Sequence, residues 1–270
     1  MSDYELLHAY ETVELARAGA AARIVLNRPE RMNAWNDQLA ADLRDALDRV
    51  ADDASLRALQ ITGAGRGFSS GADLSGGIPL RDDGRPDIGT ALRERYHPII
   101  LAIRELPKPV VAVVNGPAVG VGCSLALACD LVVAAESAYF LLAFVNIGLV
   151  PDGGSSGLVP ARVGLGRATE LAMLGERLPA RDAVVWGLAN RVHPDAELSE
   201  AADELLEKLA NGPTKAYAGI KRQLNAWAYR GLEDQLELEA ELQAGQAGSA
   251  DFMEGVTAFL ARRPANFLGA

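Results

Sequence analysis

Ser124, Asp152 and His193 follow one another in the order serine, acid, histidine, and Gly153-Gly154-Ser155-Ser156-Gly157 matches the Gly-x-Ser-x-Gly pattern of a nucleophile elbow. An elbow needs a strand running directly into its serine. Ser155 instead follows a Pro-Asp-Gly turn and Ser124 falls within a helical pattern, so a serine hydrolase is not expected. Gly63-x-Gly65-x-Gly67, with Asp82 or Asp83 about 20 residues further on, resembles a dinucleotide fingerprint. That fingerprint must open an amphipathic helix, whereas Phe68-Ser69-Ser70-Gly71 and a Gly/Pro/Asp-rich stretch follow. The expected outcome is a tight turn. His8, His97 and His193 have neither an i,i+4 partner nor a clustered carboxylate, which excludes an obvious metal site and reads them as surface or strand-end residues. Cys123 and Cys129 lie six apart in an Ala/Leu/Gly segment and read as small buried apolar residues.

Two glycine-rich turns remain, Ser69-Ser70-Gly71-Ala72-Asp73-Leu74 and Asn115-Gly116-Pro117-Ala118-Val119-Gly120-Val121-Gly122. Small residues let backbone approach a ligand, and free N–H groups at a helix start favour negative charge. Two such turns could converge on one oxyanion. By pattern alone they could equally be two close-packed strand-to-helix turns.

The elements needed to hold these turns are legible. Thr12–Ala16 and Arg23–Leu26 read as a hairpin across Gly19, and a helix capped by Asn36 or Asp37 follows. In that helix Leu39, Leu43, Leu47 and Val50 face inward, leaving Asp42, Arg44, Asp48 and Arg49 outward. Arg57–Thr62 is a strand, residues 75–89 a long surface loop, and Leu92 to Leu106 a second helix ended by Pro107 and Pro109. Val110–Val114 and Leu131–Ala135 read as buried strands flanking a helix over Gly120–Ala128. From Arg167 the pattern is almost wholly helical: Leu198–Ala210, Lys215–Tyr229, Leu232–Gln243 and Asp251–Arg262. An α/β front therefore precedes a helical tail.

With 26 Lys and Arg against 36 Asp and Glu, the net charge is −10, which argues against nucleic acid as a partner. No apolar run approaches the roughly 20 residues that span a bilayer. The start, MSDYELLHAYE, lacks the features of a signal peptide, so a cytoplasmic location without membrane partners is expected.

Leu26-Asn27-Arg28-Pro29 with Asn33-Ala34, and then Ile61 to Leu74, closely resemble the crotonase (enoyl-CoA hydratase/isomerase) superfamily. The resemblance continues through Lys108–Ala112, Asn115–Cys123, Cys129-Asp130-Leu131, Gly148–Gly154 and Phe252–Phe267, nearly the whole chain in order. It implies an α/β fold: a crotonase-like spiral of ββα turns over 1–200, holding an acyl-CoA site, and a helical C-terminal trimerisation region over 201–270. The implied partner is an acyl-CoA thioester. CoA belongs to the substrate, and no permanently bound cofactor or metal is implied.

By motif position the peptide N–H groups of Ala72 and Val121 would form the oxyanion hole for a thioester enolate. The CoA contacts would fall on Arg28 and Arg31, on Ser70, Ala72, Asp73 and Leu74, and on Phe259 with Arg262. Lys221 or Arg263 are further candidates for the adenine end. Hydratases of the family carry one Glu directly after the second loop's Gly-Gly-Cys and another seven residues before the later proline. Here those positions hold Ser124 and Phe144. Asp152 occupies a place where several family isomerases keep a single carboxylate, which would suit double-bond or ring isomerisation. Its structural alternative is the N-cap of a helix beginning at Gly153. An atypical hydratase or lyase, and a non-catalytic acyl-CoA binder, are the competing functions. Leu232, Leu236 and Leu242, with Phe252, Val256 and Phe259, are expected to supply apolar surface for a trimer or hexamer.

Overall fold

The structure is a computed structural model and describes residues 4–77, 80–82 and 84–270. Its strands are β1 (Glu5–Ala9), β2 (Val13–Ala18), β3 (Ala21–Leu26), β4 (Ala58–Gly63), β5 (Val110–Val114), β6 (Ala118–Val119), β7 (Leu131–Ala135), β8 (Tyr139–Leu141), β9 (Leu178–Pro179) and β10 (Arg191–His193). Seven of them form one sheet in the order β1-β2-β3-β4-β5-β7-β10, antiparallel up to β3 and parallel from β3 on. The other three make a small second sheet, β6-β8-β9.

The helices are α1 (Asp37–Asp52), α2 (Ile88–Ala91), α3 (His97–Glu105), α4 (Val121–Ala128), α5 (Ser155–Val163), α6 (Leu165–Leu174), α7 (Ala180–Trp186), α8 (Leu198–Ala210), α9 (Thr214–Ala228), α10 (Leu232–Gln246) and α11 (Ala250–Leu260). Parallel neighbours cannot be joined by a tight turn, so each must be reached by a crossover. Helix α1 carries the chain from β3 to β4, α2 and α3 carry it to β5, and α4 carries it to β7.

The hairpin forms as expected, with Gly19 at φ +58° in its turn and Val13 paired with Leu26. Strand β5 is buried at every position, as its Val-rich run requires. The Asn36 side chain caps α1 by accepting from Leu39 N at 2.9 Å. Both cysteines are buried and unpaired, and burial pushes each thiol up to about 12.

Several sequence expectations are overturned. Asp42 faces inward, accepting from Thr12 N (2.9 Å), Thr12 Oγ1 (2.7 Å) and Gln38 Nε2 (2.7 Å), so it ties α1 to the start of β2. His97 is buried in a helix, and desolvation holds its imidazole down at about 4. The second helix is interrupted by a π-helical stretch over Leu92–Tyr96. It ends two residues before Pro98, which has no N–H to give to the preceding turn. The segment after Arg167 is mostly helical as expected, with two short strands, β9 in the small sheet and β10 at the edge of the large one.

Leu232, Leu236 and Phe252 pack within their own chain, so only part of the expected apolar set is at the surface. Leu242 and Phe259 are exposed, together with Ile220, Leu224 and Trp227 on α9. Among the described residues no helix is long and apolar enough to cross a membrane.

Candidate active site

A cleft of about 1170 Å³ opens between the two glycine-rich turns, the α2–α3 segment and α11. Main-chain hydrogen bonds join the turns to each other at Ser69 and tie the first of them to Trp35. Ser69 N donates to Pro117 O (3.0 Å), Val119 N to Ser69 O (2.9 Å), Trp35 N to Gly71 O (2.7 Å) and Asp73 N to Trp35 O (2.8 Å). Gly71 sits at φ +91°, and a Cβ there would stand 2.9 Å from the Val119 carbonyl oxygen. Gly120, at φ +53°, faces it from the other turn with its own Cβ position 3.8 Å from Gly71 Cα. The close approach requires glycine at 71, and the positive φ favours it at 120.

Ala72 and Val121 both line the cleft. Neither peptide N–H donates to an acceptor among the described residues, and Val121 is the first residue of α4, where a helix leaves its N–H groups free. Two unspent donors on one cleft wall are suited to a developing negative charge.

Asp152 lines the same cleft, on the turn between β8 and α5. Its main-chain carbonyl is held by Ser124 Oγ (2.8 Å) and Ser155 Oγ (2.8 Å), and its Oδ2 accepts from Gln243 Nε2 (2.9 Å). Oδ1 is buried without a partner among the described residues. Burial pushes this carboxyl well above the usual carboxylate range, and the nearby Glu239 charge adds to the rise while the Gln243 hydrogen bond opposes it.

The capping alternative for Asp152 fails. Helix α5 begins at Ser155 behind Gly154, and the carboxylate at its N-terminus is that of Glu239, which accepts from Gly154 N (2.8 Å), Ser156 N (3.0 Å) and Ser156 Oγ. Glu239 is itself raised by burial, against the pull of those donors. Phe144 is buried at the cleft wall, against the Gly120 position.

The rejected motifs have structural tasks. Ser124 is fully buried inside α4 with its hydroxyl given to the Asp152 carbonyl, so it is no nucleophile. The Gly63–Gly67 turn opens no helix. Asn33 Nδ2 donates to Ala64 O (2.9 Å) and Gly67 O (2.8 Å), and Asn115 Nδ2 donates to Gly63 O (2.8 Å). Asp83 of the dinucleotide reading lies outside the described residues. Among the described residues no His/Cys/Asp/Glu group could hold a metal ion.

Of the expected CoA contacts, Arg28, Arg31, Ser70, Ala72, Asp73, Leu74 and Phe259 all line the cleft. Arg28 is engaged by Asp73 Oδ2 at 3.0 Å and by Ala34 O, while Arg31 is exposed and has no side-chain acceptor among the described residues. Burial works against Asp73, yet hydrogen bonds from Ser75 and Arg28 hold its carboxyl below the usual range. Arg262 and Arg263 follow α11 outside the cleft lining, and Arg263 pairs with Glu254 at 2.6 Å. Lys221 contradicts the expectation. It is buried on the α9 side, donating to Ile103 O (2.6 Å) and pairing with Asp130 (2.9 Å), because it is the one buried position of that helix.

Sequence reasoning missed Tyr96, Glu239 and Gln243. Tyr96 lines the cleft with its ring edge on Trp35 (centroids 5.1 Å apart), and burial, reinforced by the Asp152 charge, keeps its hydroxyl protonated far above neutral pH. The signal for the other two was present. Leu232, Leu236, Glu239 and Gln243 share the buried face of α10, and polar residues on an apolar stripe require buried partners.

The enoyl-CoA hydratase/isomerase family model matches residues 16–270. The chain is 42% identical over 246 residues to a 1,2-epoxyphenylacetyl-CoA isomerase of Escherichia coli, covering 91% of this chain and 94% of that protein. It is also 42% identical over 261 residues to a probable enoyl-CoA hydratase of Rhodobacter capsulatus, covering 97% and 99%. The solved structure of an enoyl-CoA hydratase from Mycobacterium avium subsp. paratuberculosis superposes with a TM-score of 0.87 at 40% identity, covering 96% of this chain and all of that one.

Proposed function

Since the chain belongs to the enoyl-CoA hydratase/isomerase (crotonase) family, we propose that it is an acyl-CoA isomerase in which Asp152 is the single proton-transferring group. In this reading the Asp152 carboxylate removes a proton from the carbon next to the thioester carbonyl of a 3-enoyl-CoA. The electron pair of that C–H bond enters the conjugated system and leaves negative charge on the thioester oxygen. The N–H groups of Ala72 and Val121 receive that charge. Asp152 then returns the same proton to the far end of the conjugated enolate, and the double bond has moved with no atom gained or lost.

One observation carries this reading. A buried carboxyl with an unpartnered oxygen lies in the same cleft as two unspent peptide donors. Burial raises its proton affinity well above that of an ordinary carboxylate, the direction in which a proton-accepting base must be tuned. Ser124 and Phe144, at the positions where the resemblance places the two hydratase acids, have no carboxylate with which to deprotonate water, and the Ser124 hydroxyl proton is already given to the Asp152 carbonyl.

The test is a panel of 2-enoyl- and 3-enoyl-CoA thioesters with wild type and Asp152→Asn. The expected result is isomerisation of the 3-enoyl substrates, reduced about 10²–10⁴-fold in the variant, with CoA binding retained. Hydration of 2-enoyl-CoA alone would replace this reading with the hydratase, and binding without turnover would replace it with a non-catalytic binder.

A further inference from the structure

Helix α10 is distant in sequence from both glycine turns, yet it controls the Asp152 turn through two side chains. Gln243 is fully buried and places Nε2 2.7 Å from Val150 O and 2.9 Å from Asp152 Oδ2. Both amide hydrogens are thereby used. The orientation is forced, because the flipped amide would set Oε1 against a carbonyl and a carboxyl oxygen. Asp152 Oδ1 is left buried with nothing to accept. An orphaned oxygen of this kind is costly in a resting protein and useful where a proton must arrive.

We propose that Gln243 is the positioning residue of the Asp152 carboxyl, occupying Oδ2 so that Oδ1 is the atom that takes the proton and returns it. The proposal rests on Asp152 being the proton carrier. It assigns both transfers to one oxygen with a fixed direction, so the proton leaves and re-enters on the same face of the acyl group. Glu239, one turn earlier on α10, anchors the turn by its hydrogen bonds to Gly154 and Ser156 and supplies a negative charge that opposes ionisation of Asp152. The other side facing Asp152 is the π-helical stretch, whose Tyr96 hydroxyl stays neutral. Ser124 of α4 faces its main chain and does not titrate.

The experiment follows the Asp152 titration directly, by the ¹³C carboxyl resonance that disappears in Asp152→Asn, alongside the pH profile of kcat/KM. Gln243→Met keeps length and bulk but removes the donor. The Asp152 titration and the acid limb of the profile should both move up by about one pH unit, because a hydrogen bond to the ionised form is lost. Turnover should drop about tenfold or more while KM stays within about twofold, since the proton acceptor alone is displaced. Glu239→Gln removes a repelling charge and should move the same limb down. Opposite displacements from two changes on one helix are not produced by a loosened fold.

The Gln243 side chain supplies a check that leaves Gln243 itself unchanged. The Gln243 side-chain amide protons should titrate with the acid limb, and they should be flat in Asp152→Asn. A Gln243 resonance that ignores the limb in wild type, or an unmoved Asp152 titration in folded Gln243→Met, overturns the positioning role alone. Undiminished isomerisation by Asp152→Asn overturns the carrier reading and this proposal with it, by a result that leaves the Gln243 hydrogen bond to Val150 intact.

Discussion

The paired glycine turns and the Asp152 turn share one cleft but are built by opposite means. The glycine turns offer main-chain N–H groups, and what holds them together is main chain as well: Ser69 with Pro117 and Val119, and Trp35 with Gly71 and Asp73. One side chain assists, the buried Ser69 hydroxyl, which donates to Asn33 O (2.8 Å) and accepts from Gly71 N (3.3 Å), and Gly71 must stay bare. The Asp152 turn offers a side chain, and side chains fix it. Ser124 and Ser155 hold its carbonyl, Gln243 holds its carboxyl, and Glu239 holds the peptide that follows. A donor made of backbone survives most substitutions on its own residue. A proton carrier made of a side chain depends on every neighbour that sets its proton affinity.

The sharpest way to break this comparison is to attack the glycine turns by shape. In Gly71→Ala the new Cβ would lie 2.9 Å from a backbone oxygen, which cannot swing aside, and the φ of +91° disfavours any side chain. Parting the two turns displaces one donor, so turnover should fall by roughly 10²–10³ while the Asp152 titration is unmoved. Ala72→Ser keeps the peptide N–H and should change turnover far less. Equal losses from the two substitutions would mean that the turn works through its side chains.

A second prediction concerns stability. The Asp152 carboxyl has a folded pKa above its unfolded one, so between the two values the folded protein holds a proton that the unfolded chain has released. Stability drains as pH rises from about 4 through the folded value, and is level beyond it. Asp152→Asn removes that drain. Its melting temperature should match wild type below about pH 4 and exceed it increasingly toward neutral pH. A melting temperature lower than wild type at neutral pH would show that the carboxylate is a structural asset instead of a strained functional group.

The smallest expected effect separates Arg28 from Arg31 at the cleft mouth. Arg28 is already spent on Asp73 and Ala34 O, whereas Arg31 is exposed with no side-chain acceptor among the described residues. Titrated with CoA at several salt concentrations, Arg31→Ala should lose about two- to fivefold in affinity and show a shallower salt dependence, as removal of one exposed contact implies. Arg28→Ala should instead lower thermal stability by loosening the lip, with the salt slope kept. The reverse pattern would place the phosphate contact on Arg28.

Much of the architecture was legible in the chain because its causes are local. Val-rich β5, the Asn36 cap, Gly19 in the hairpin and the leucine stripe of α1 each draw on interactions within a few residues. The two glycine turns were legible as turns for the same reason, but local pattern left their convergence open, and the placing of the donors on Ala72 and Val121 came from the family resemblance. Asp152 was legible as a lone carboxylate beside a tight turn, but its surroundings were not. His97 and Asp42 were read as exposed because hydropathy reports the average fate of a residue type, and a buried partner overrides the average.

The sequence by itself determined the strand and helix order, the glycine positions that let two backbones touch, and the presence of Ser124 and Phe144 where the resemblance places two acids. The tertiary structure alone decided which polar side chains would be desolvated together. Gln243 reaches Asp152 across 91 residues, Glu239 reaches Gly154 across 85, and Lys221 reaches Ile103 across 118. No local pattern encodes such pairings. A buried carboxyl's proton affinity depends on distance to charge and exclusion of water, and both exist only once the chain has closed on itself.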